Sequence, residues 1–138
     1  MPARDLFHDQ VKHALIKDGW TITDDPLHIK WRKKNLYVDL GAERLLAAEK
    51  AERRIAVEIK SFVGRSDIAD LEAALGQFVL YQTLLAKTSP ERTLYLAVHA
   101  TAFESVFRRS LGELLIEEGP LRLMIFDPLK EEILQWIP

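Results

Sequence analysis

The stretch that decides the fold runs from residue 36 to residue 60 and reads LYVDLGAERLLAAEKAERRIAVEIK. Both ends alternate apolar and polar residues, which is typical of half-buried strands. We therefore expect one strand over 36–40, ending at Gly41, and another over 55–60. Residues 42–50 have helix-forming composition. The second strand follows them so closely, however, that a hairpin turning near 51–53 is the favoured interpretation.

The flanking sequence supplies helices and further strands. The expected elements are an amphipathic helix over 5–18, a strand over 27–31, a long helix over about 67–87 capped by Ser66 or Asp67, a buried strand over 93–98, one or two helices over 103–115, a buried strand over 121–126 and a last strand over 132–137. No repeat or linker interrupts this order. The pattern predicts a single α/β domain over residues 1–138, with a central mixed sheet flanked by helices.

Composition excludes several classes of protein. The chain of 138 residues contains no cysteine, so disulfide scaffolds, thiolate nucleophiles and Cys-ligated zinc are excluded. No apolar run approaches the roughly 20 residues that cross a bilayer. We expect a cytoplasmic protein that does not enter a membrane.

Charge is distributed unevenly along the chain. Residues 1–65 carry 13 basic and 10 acidic residues, whereas residues 66–138 carry 6 and 11. The basic half includes Lys30, Arg32, Lys33 and Lys34 around Trp31. Such a cluster can hold phosphates while the indole stacks on a base. The alternatives are a solvated turn and a tryptophan in an interface or the core.

The residues that carry chemistry are Asp39, Glu58 and Lys60. Glu58 and Lys60 point to the same side of their strand, and Asp39 joins them if its strand is a neighbour. Two converging carboxylates repel each other unless a cation lies between them, and oxygen ligands suit Mg²⁺ or Mn²⁺. The Ile59 carbonyl is a further possible ligand. Lys60 would orient the attacking water or offset charge in the transition state.

Other interpretations of these residues remain open at this point. Glu-x-Lys on an exposed strand is also a common ion-pair pattern. If the strand register differs from the one expected, Glu43 or Glu49 would replace one of the ligands. Asp9, and less so His8, would approach the site from the first helix, where a solvated helix face is the default.

The long helix adds two polar side chains on one face. Gln77 and Tyr81 are four residues apart and therefore neighbours on the helix surface. Both side chains can hydrogen-bond to phosphate or order a site residue, although a tyrosine on a half-buried helix is also ordinary packing. We expect this face to lie roughly opposite the apolar side that contains Phe78.

This constellation resembles the PD-(D/E)XK nuclease superfamily, and the Gln-x-x-x-Tyr helix resembles its RecB-like branch. The resemblance implies that Asp39 and Glu58 bind a divalent metal and that Lys60 assists attack of water on a phosphodiester. Gln77, Tyr81 and Asp9 would then be substrate-side or site-supporting residues. The chain departs from the superfamily pattern at Val38, where proline ordinarily precedes the aspartate.

Four longer stretches, at 4–12, 15–23, 36–43 and 55–62, resemble the XisH family of fdxN-element excision controlling factors. The resemblance implies a role in programmed excision of a DNA element, beside a site-specific recombinase and a second small factor, XisI. Three hypotheses follow. The first is a metal-dependent DNA-processing factor, for which the resemblance to nucleases implies a homodimer. The second is a non-catalytic regulator that acts through protein contacts, and the third is a structural subunit that only stabilises a partner.

Overall fold

The computed structural model describes residues 4–46 and 51–138. The strands are β1 (Thr21–Asp24), β2 (Leu27–Trp31), β3 (Lys34–Val38), β4 (Leu40–Leu46), β5 (Ala51–Ile59), β6 (Arg92–His99), β7 (Leu123–Asp127) and β8 (Glu132–Ile137). The helices are α1 (His8–Lys17), α2 (Asp67–Thr88), α3 (Ala100–Ala102), which continues as a π-helical turn over Phe103–Phe107, and α4 (Leu111–Glu117). Within the described ranges, no helix is both long and apolar enough to cross a membrane.

Six strands form a mixed sheet in the order β1-β4-β5-β6-β7-β8. The central strands β5, β6 and β7 are parallel to one another, and the outer pairs are antiparallel. Parallel neighbours need a long crossover connection. Helix α2 makes the crossover from β5 to β6, and the segment containing α3 and α4 makes the one from β6 to β7. The predicted α/β domain with a mixed sheet is confirmed.

The hairpin expected over residues 42–60 is present, but its turn is not at 51–53. Strand β4 pairs antiparallel with β5, and Ala51 already lies opposite Leu46. Residues 47–50, which include the alternative ligand Glu49, lie outside the described residues. Residues 42–46 form a strand despite their helix-forming composition, because pairing with β5 buries Ala42 completely in the core.

The strand expected over 36–40 is divided at Asp39. Val38 ends β3, which pairs with β2 in a separate two-stranded sheet, whereas Leu40 begins β4 in the main sheet. Asp39 is therefore the joint at which the chain passes from one sheet to the other. Local alternation is continuous through this joint, so only the pairing partners show the break.

Two apolar cores cover the two faces of the main sheet. One packs against α2, and the other packs against α1. In β5, Ala56 belongs to the α2 side, while Ile55 and Val57 belong to the α1 side. Because side chains alternate along a strand, Glu58 is directed to the same side as Ala56, towards α2.

Helix α2 begins where the sequence predicted. Ser66 caps it by accepting a hydrogen bond from the Ala69 N–H at 3.2 Å. The expectation that Tyr81 faces away from the apolar side is wrong, since Tyr81 packs against the core beside α2. The residue lies three positions after Phe78, which places the two side chains on neighbouring parts of one helix face.

Candidate active site

Asp39 and Glu58 meet at the carboxyl end of β5. The Asp39 N–H donates to Glu58 Oε1 at 3.2 Å, and the Ile59 N–H donates to Asp39 Oδ2 at 2.7 Å. Each carboxyl group is thus held by the backbone of the opposite segment. These reciprocal bonds replace the ladder bonds that a regular strand pair would make at the joint.

Burial controls the protonation of this pair. Loss of solvation, followed by the charge of Asp39, raises the pKa of Glu58 to about 10. Burial also raises the pKa of Asp39, and this effect outweighs the hydrogen bond from Glu58, which lowers that pKa. Burial thus disfavours ionising both carboxyl groups, so in the metal-free protein the Asp39–Glu58 pair retains a proton.

A cavity of about 210 Å³ opens beside the pair. Its lining residues are Asp5, Tyr37, Asp39, Glu58, Ile59, Lys60, Gln77 and Tyr81. Burial, and then the charges of Glu58 and Asp39, raise the pKa of Tyr81 to about 12. Tyr81 is therefore a neutral phenol at physiological pH, and its hydroxyl group can donate a hydrogen bond into the cavity.

Lys60 enters the cavity from the segment that follows β5. Its Nζ lies 4.0 Å from Asp70 Oδ1 on α2, and its side chain is 27% exposed. Asp70 Oδ2 accepts the Gly64 N–H at 2.9 Å, and a Cβ at position 64 would lie only 2.5 Å from Asp70 Oδ1. Asp70 thus links Lys60, the loop after β5 and the first turn of α2.

The donor set fits a hard divalent cation. Two carboxyl groups with raised pKa values, Glu58 buried and Asp39 partly buried, form a site that gains from a positive charge between them. Across residues 4–46 and 51–138, no group of three or more His, Asp or Glu side chains could hold a metal ion. Mg²⁺ is commonly bound through one or two carboxylates and completed by water, so a pair is a sufficient protein contribution.

Comparisons with known proteins assign the chain to a family. The family model described as "XisH protein" matches residues 1–134 of this chain. The chain belongs to the XisH family. A crystal structure of an XisH family protein from Nostoc punctiforme PCC 73102 is 43% identical, with a TM-score of 0.86 over 97% of this chain and 100% of that one.

A second solved structure is a fdxN element excision controlling factor protein from Anabaena variabilis. It is also 43% identical, with a TM-score of 0.84, over 98% of this chain and 100% of that one. No curated protein matches the sequence. The XisH resemblance drawn from the four sequence stretches is confirmed.

The structure brings most of the predicted site residues of this XisH-family chain together. Asp39, Glu58, Ile59, Lys60, Gln77 and Tyr81 all line the same cavity. Asp9 does not line it, since its side chain is 69% exposed and lies 3.5 Å from Arg4. The alternative ligand Glu43 lies further along β4, where it pairs with Arg54.

His8 is buried beside the site but faces a different partner. Its Nε2 lies 2.7 Å from Asp25 Oδ1, and Lys12 Nζ donates to the other Asp25 oxygen at 2.8 Å. The cationic form of His8 would lower the pKa of Asp39 through its charge. His8 therefore belongs to an ion-pair cluster behind the carboxyl pair and does not line the cavity.

Sequence reasoning missed three residues of the site. Tyr37 was detectable, because it lies two residues before Asp39 and strand alternation places both side chains on the same side. Asp5 stands at the start of the predicted first helix, where its position gave no sign of a site role. Its carboxylate accepts the Phe7 N–H at 2.9 Å, and the residue also lines the cavity. Asp70 gave no signal in the sequence, because its contact with Lys60 depends on how α2 packs against the end of β5.

Proposed function

We propose that this XisH-family protein is a cytoplasmic, metal-dependent DNA-processing factor, resembling a PD-(D/E)XK nuclease that hydrolyses phosphodiester bonds. One observation carries the proposal: two carboxyl groups, Asp39 and Glu58, line one cavity together with Lys60. Each carboxyl group accepts a backbone N–H from the segment that carries the other, although the two residues are 19 positions apart. A merely structural ion pair would not require a second carboxyl group beside the first. Such a pair is costly to bury unless a cation compensates it.

Each residue has a role in this proposal. Asp39 and Glu58 hold Mg²⁺ or Mn²⁺, with the Ile59 carbonyl as a further ligand. A metal ion bound there would acidify a water molecule and offset charge on a phosphoryl oxygen. Lys60 orients the water or stabilises the developing negative charge. The Tyr81 hydroxyl and the Gln77 amide donate hydrogen bonds to the phosphate, which places the scissile bond near Lys60.

The family supports DNA as the substrate. One relative is described as a fdxN element excision controlling factor, so we infer that this chain acts in programmed excision of a DNA element in a pathway with a site-specific recombinase. A XisI-like protein is the expected partner in that pathway. A homodimer would bring two cavities to the two strands of a duplex.

A cleavage assay tests the proposal. Purified protein is incubated with supercoiled, linear or branched DNA in Mg²⁺, Mn²⁺ or EDTA. We expect metal-dependent cutting that falls by about 100-fold or more in both Glu58→Gln and Lys60→Met. Glu58→Gln removes a proposed metal ligand, and Lys60→Met removes the cation that stabilises the developing negative charge. Lys87→Met, at the exposed end of α2, is the matched control and should cut normally. Cutting that survives both site changes, or that continues in EDTA, would contradict the assignment.

A different observation favours a non-catalytic regulator as the second candidate. The side chains of Ile68 on α2 and Leu111 on α4 are 56% and 53% exposed, and both line a shallow cavity of about 240 Å³. Exposed apolar side chains of this kind suit a protein partner. If the chain neither cuts DNA nor binds Mn²⁺, while Ile68→Glu abolishes a complex with a XisI-like protein, this second function replaces the first.

A further inference from the structure

The β2–β3 hairpin concentrates positive charge at its tip. Strand β2 pairs with β3 from Leu27 opposite Val38 to Trp31 opposite Lys34, which leaves residues 32–33 as a two-residue turn. The base is anchored, because Leu27, Ile29 and Val38 are buried in the core beside α2. The tip is exposed, and it carries Lys30, Arg32, Lys33 and Lys34.

Within residues 4–46 and 51–138, the protein itself does not neutralise these four cations. Among the described residues, no carboxylate lies within ion-pair distance of any of them. The chain as a whole carries a net charge of −2, so four adjacent uncompensated cations are a local feature and not the general composition. A concentrated positive tip on an acidic protein is suited to a polyanion.

Two details of the tip also favour a ligand. Trp31 is 38% exposed, and the Arg32 guanidinium lies 5.8 Å from the centre of its ring. Arg32 has a φ of 55°, the left-handed region that hairpin turns ordinarily fill with glycine or asparagine. A bulky cation therefore occupies a backbone position that a small residue would adopt more easily. Function is a reason for such a departure from local preference.

The outer face of the hairpin leads from the tip to the candidate active site. Lys30 lies opposite Asn35, and Asn35 Oδ1 lies 2.8 Å from His28 Nε2. His28 stacks on Tyr37 with ring centres 5.0 Å apart, and Tyr37 lines the cavity. At about 3.4 Å per residue, Lys34 lies roughly 17 Å along the strand from Asp39. This distance corresponds to about five base pairs of duplex DNA.

We propose that the β2–β3 hairpin is a guide for duplex DNA, whose tip binds the phosphate backbone about five base pairs from the phosphate in the Asp39–Glu58 cavity. The inference rests on the proposed function for its second contact, the phosphate in the cavity. DNA is favoured over an acidic protein surface because the polar side chains run unbroken from the tip to that cavity. A nucleic-acid backbone carries charge along its whole length, so it can contact both the hairpin tip and the polar side chains that lead to the cavity.

Binding without catalysis tests the guide. The full chain is titrated against a fluorescein-labelled DNA duplex of about 30 base pairs in EDTA, at about 50 and 200 mM salt, and anisotropy is measured. The triple variant Lys30→Gln/Lys33→Gln/Lys34→Gln should bind about tenfold more weakly. The slope of log affinity against log salt concentration should become shallower by roughly 2.7. The matched control Lys87→Gln/Arg109→Gln/Lys130→Gln removes equal charge elsewhere and should change the affinity by less than about threefold.

The variant Arg32→Asn distinguishes a loss of DNA binding from a loss of folding stability. Asparagine tolerates the left-handed backbone, so the melting temperature should be unchanged or higher. DNA binding should nevertheless weaken by about threefold or more, because one phosphate contact is lost. The guide would be overturned if the hairpin triple variant and the control triple variant lost DNA affinity equally. It would also be overturned if both variants bound DNA as tightly as the wild type. Tip-dependent binding of an acidic protein by a chain that does not bind DNA would overturn it as well.

The guide and the proposed function fail differently. Hairpin-dependent binding without metal-dependent cutting would uphold the guide and remove the nuclease. Metal-dependent cutting that the hairpin triple leaves intact, with unchanged DNA affinity, would uphold the nuclease and remove the guide.

Discussion

Glu58 is a carboxyl group that burial keeps protonated, and this makes stability depend on pH. Its pKa rises from 4.5 to about 10 in the folded protein. A raised folded-state pKa gives stability that is fully present below about 4.5 and is lost as pH rises towards about 10. We expect the free energy of unfolding in EDTA to fall by ~1–3 kcal/mol between about pH 5 and pH 8.

The variant Glu58→Gln should flatten this dependence and be more stable than the wild type at pH 8, because its amide stays neutral. Urea unfolding at several pH values measures both curves. Glu72→Gln, an exposed change on α2, is the control and should follow the wild type. A wild-type curve that rises between pH 5 and pH 8 would show that the pair does not retain its proton.

Asp70 is expected to position Lys60. Asp70→Asn removes the charge near Lys60 Nζ, while its amide oxygen can still accept the Gly64 N–H. Lys60 should become less well oriented, so we expect single-turnover DNA cleavage to slow by about tenfold, with DNA affinity unchanged. Asp67→Asn, in the same turn of the helix, should cut at the wild-type rate. Equal rates for the two variants would show that Lys60 needs no partner on α2.

At the scale of the element, the start of α2 is set by Ser66. Its hydroxyl accepts the Ala69 N–H, so Ser66→Ala should lower the free energy of unfolding by ~1 kcal/mol. Ser110 precedes α4 but its side chain makes no capping hydrogen bond. Ser110→Ala is therefore the natural control and should have a smaller effect in chemical denaturation. Similar losses in both variants would mean that capping does not account for the change at Ser66.

The elements themselves were largely predictable, with instructive exceptions. The long helix follows from its apolar periodicity, and strands β6 and β7 follow from continuous apolar runs; both signals are local properties of the sequence. The division of residues 36–40 at Asp39 could not be predicted, because both halves keep the same alternation and differ only in their partners. Residues 42–46 likewise favour helix by composition and become a strand by pairing with β5.

At the scale of the whole molecule, metal binding, folding and protonation should be linked. The proton between Asp39 and Glu58 must leave before a divalent ion binds, so Mn²⁺ affinity should increase with pH. We expect about one proton released per ion, measured by calorimetry in two buffers of different ionisation enthalpy. Mn²⁺ should raise the melting temperature more at pH 8 than at pH 6. Glu58→Gln should lose both effects; proton-independent binding would place the ion elsewhere.

The sequence by itself determined what depends on neighbours along the chain. Alternation put Glu58 and Lys60 on one side of the strand predicted over 55–60, and helical spacing put Gln77 beside Tyr81 on α2. Only the tertiary structure decided that Asp39 meets Glu58 at a joint between two sheets, that Asp5 and Tyr37 complete the cavity and that Asp70 approaches Lys60. These contacts join segments far apart in sequence. They depend on how two apolar cores place α1 and α2 against the sheet, and no local pattern encodes that placement.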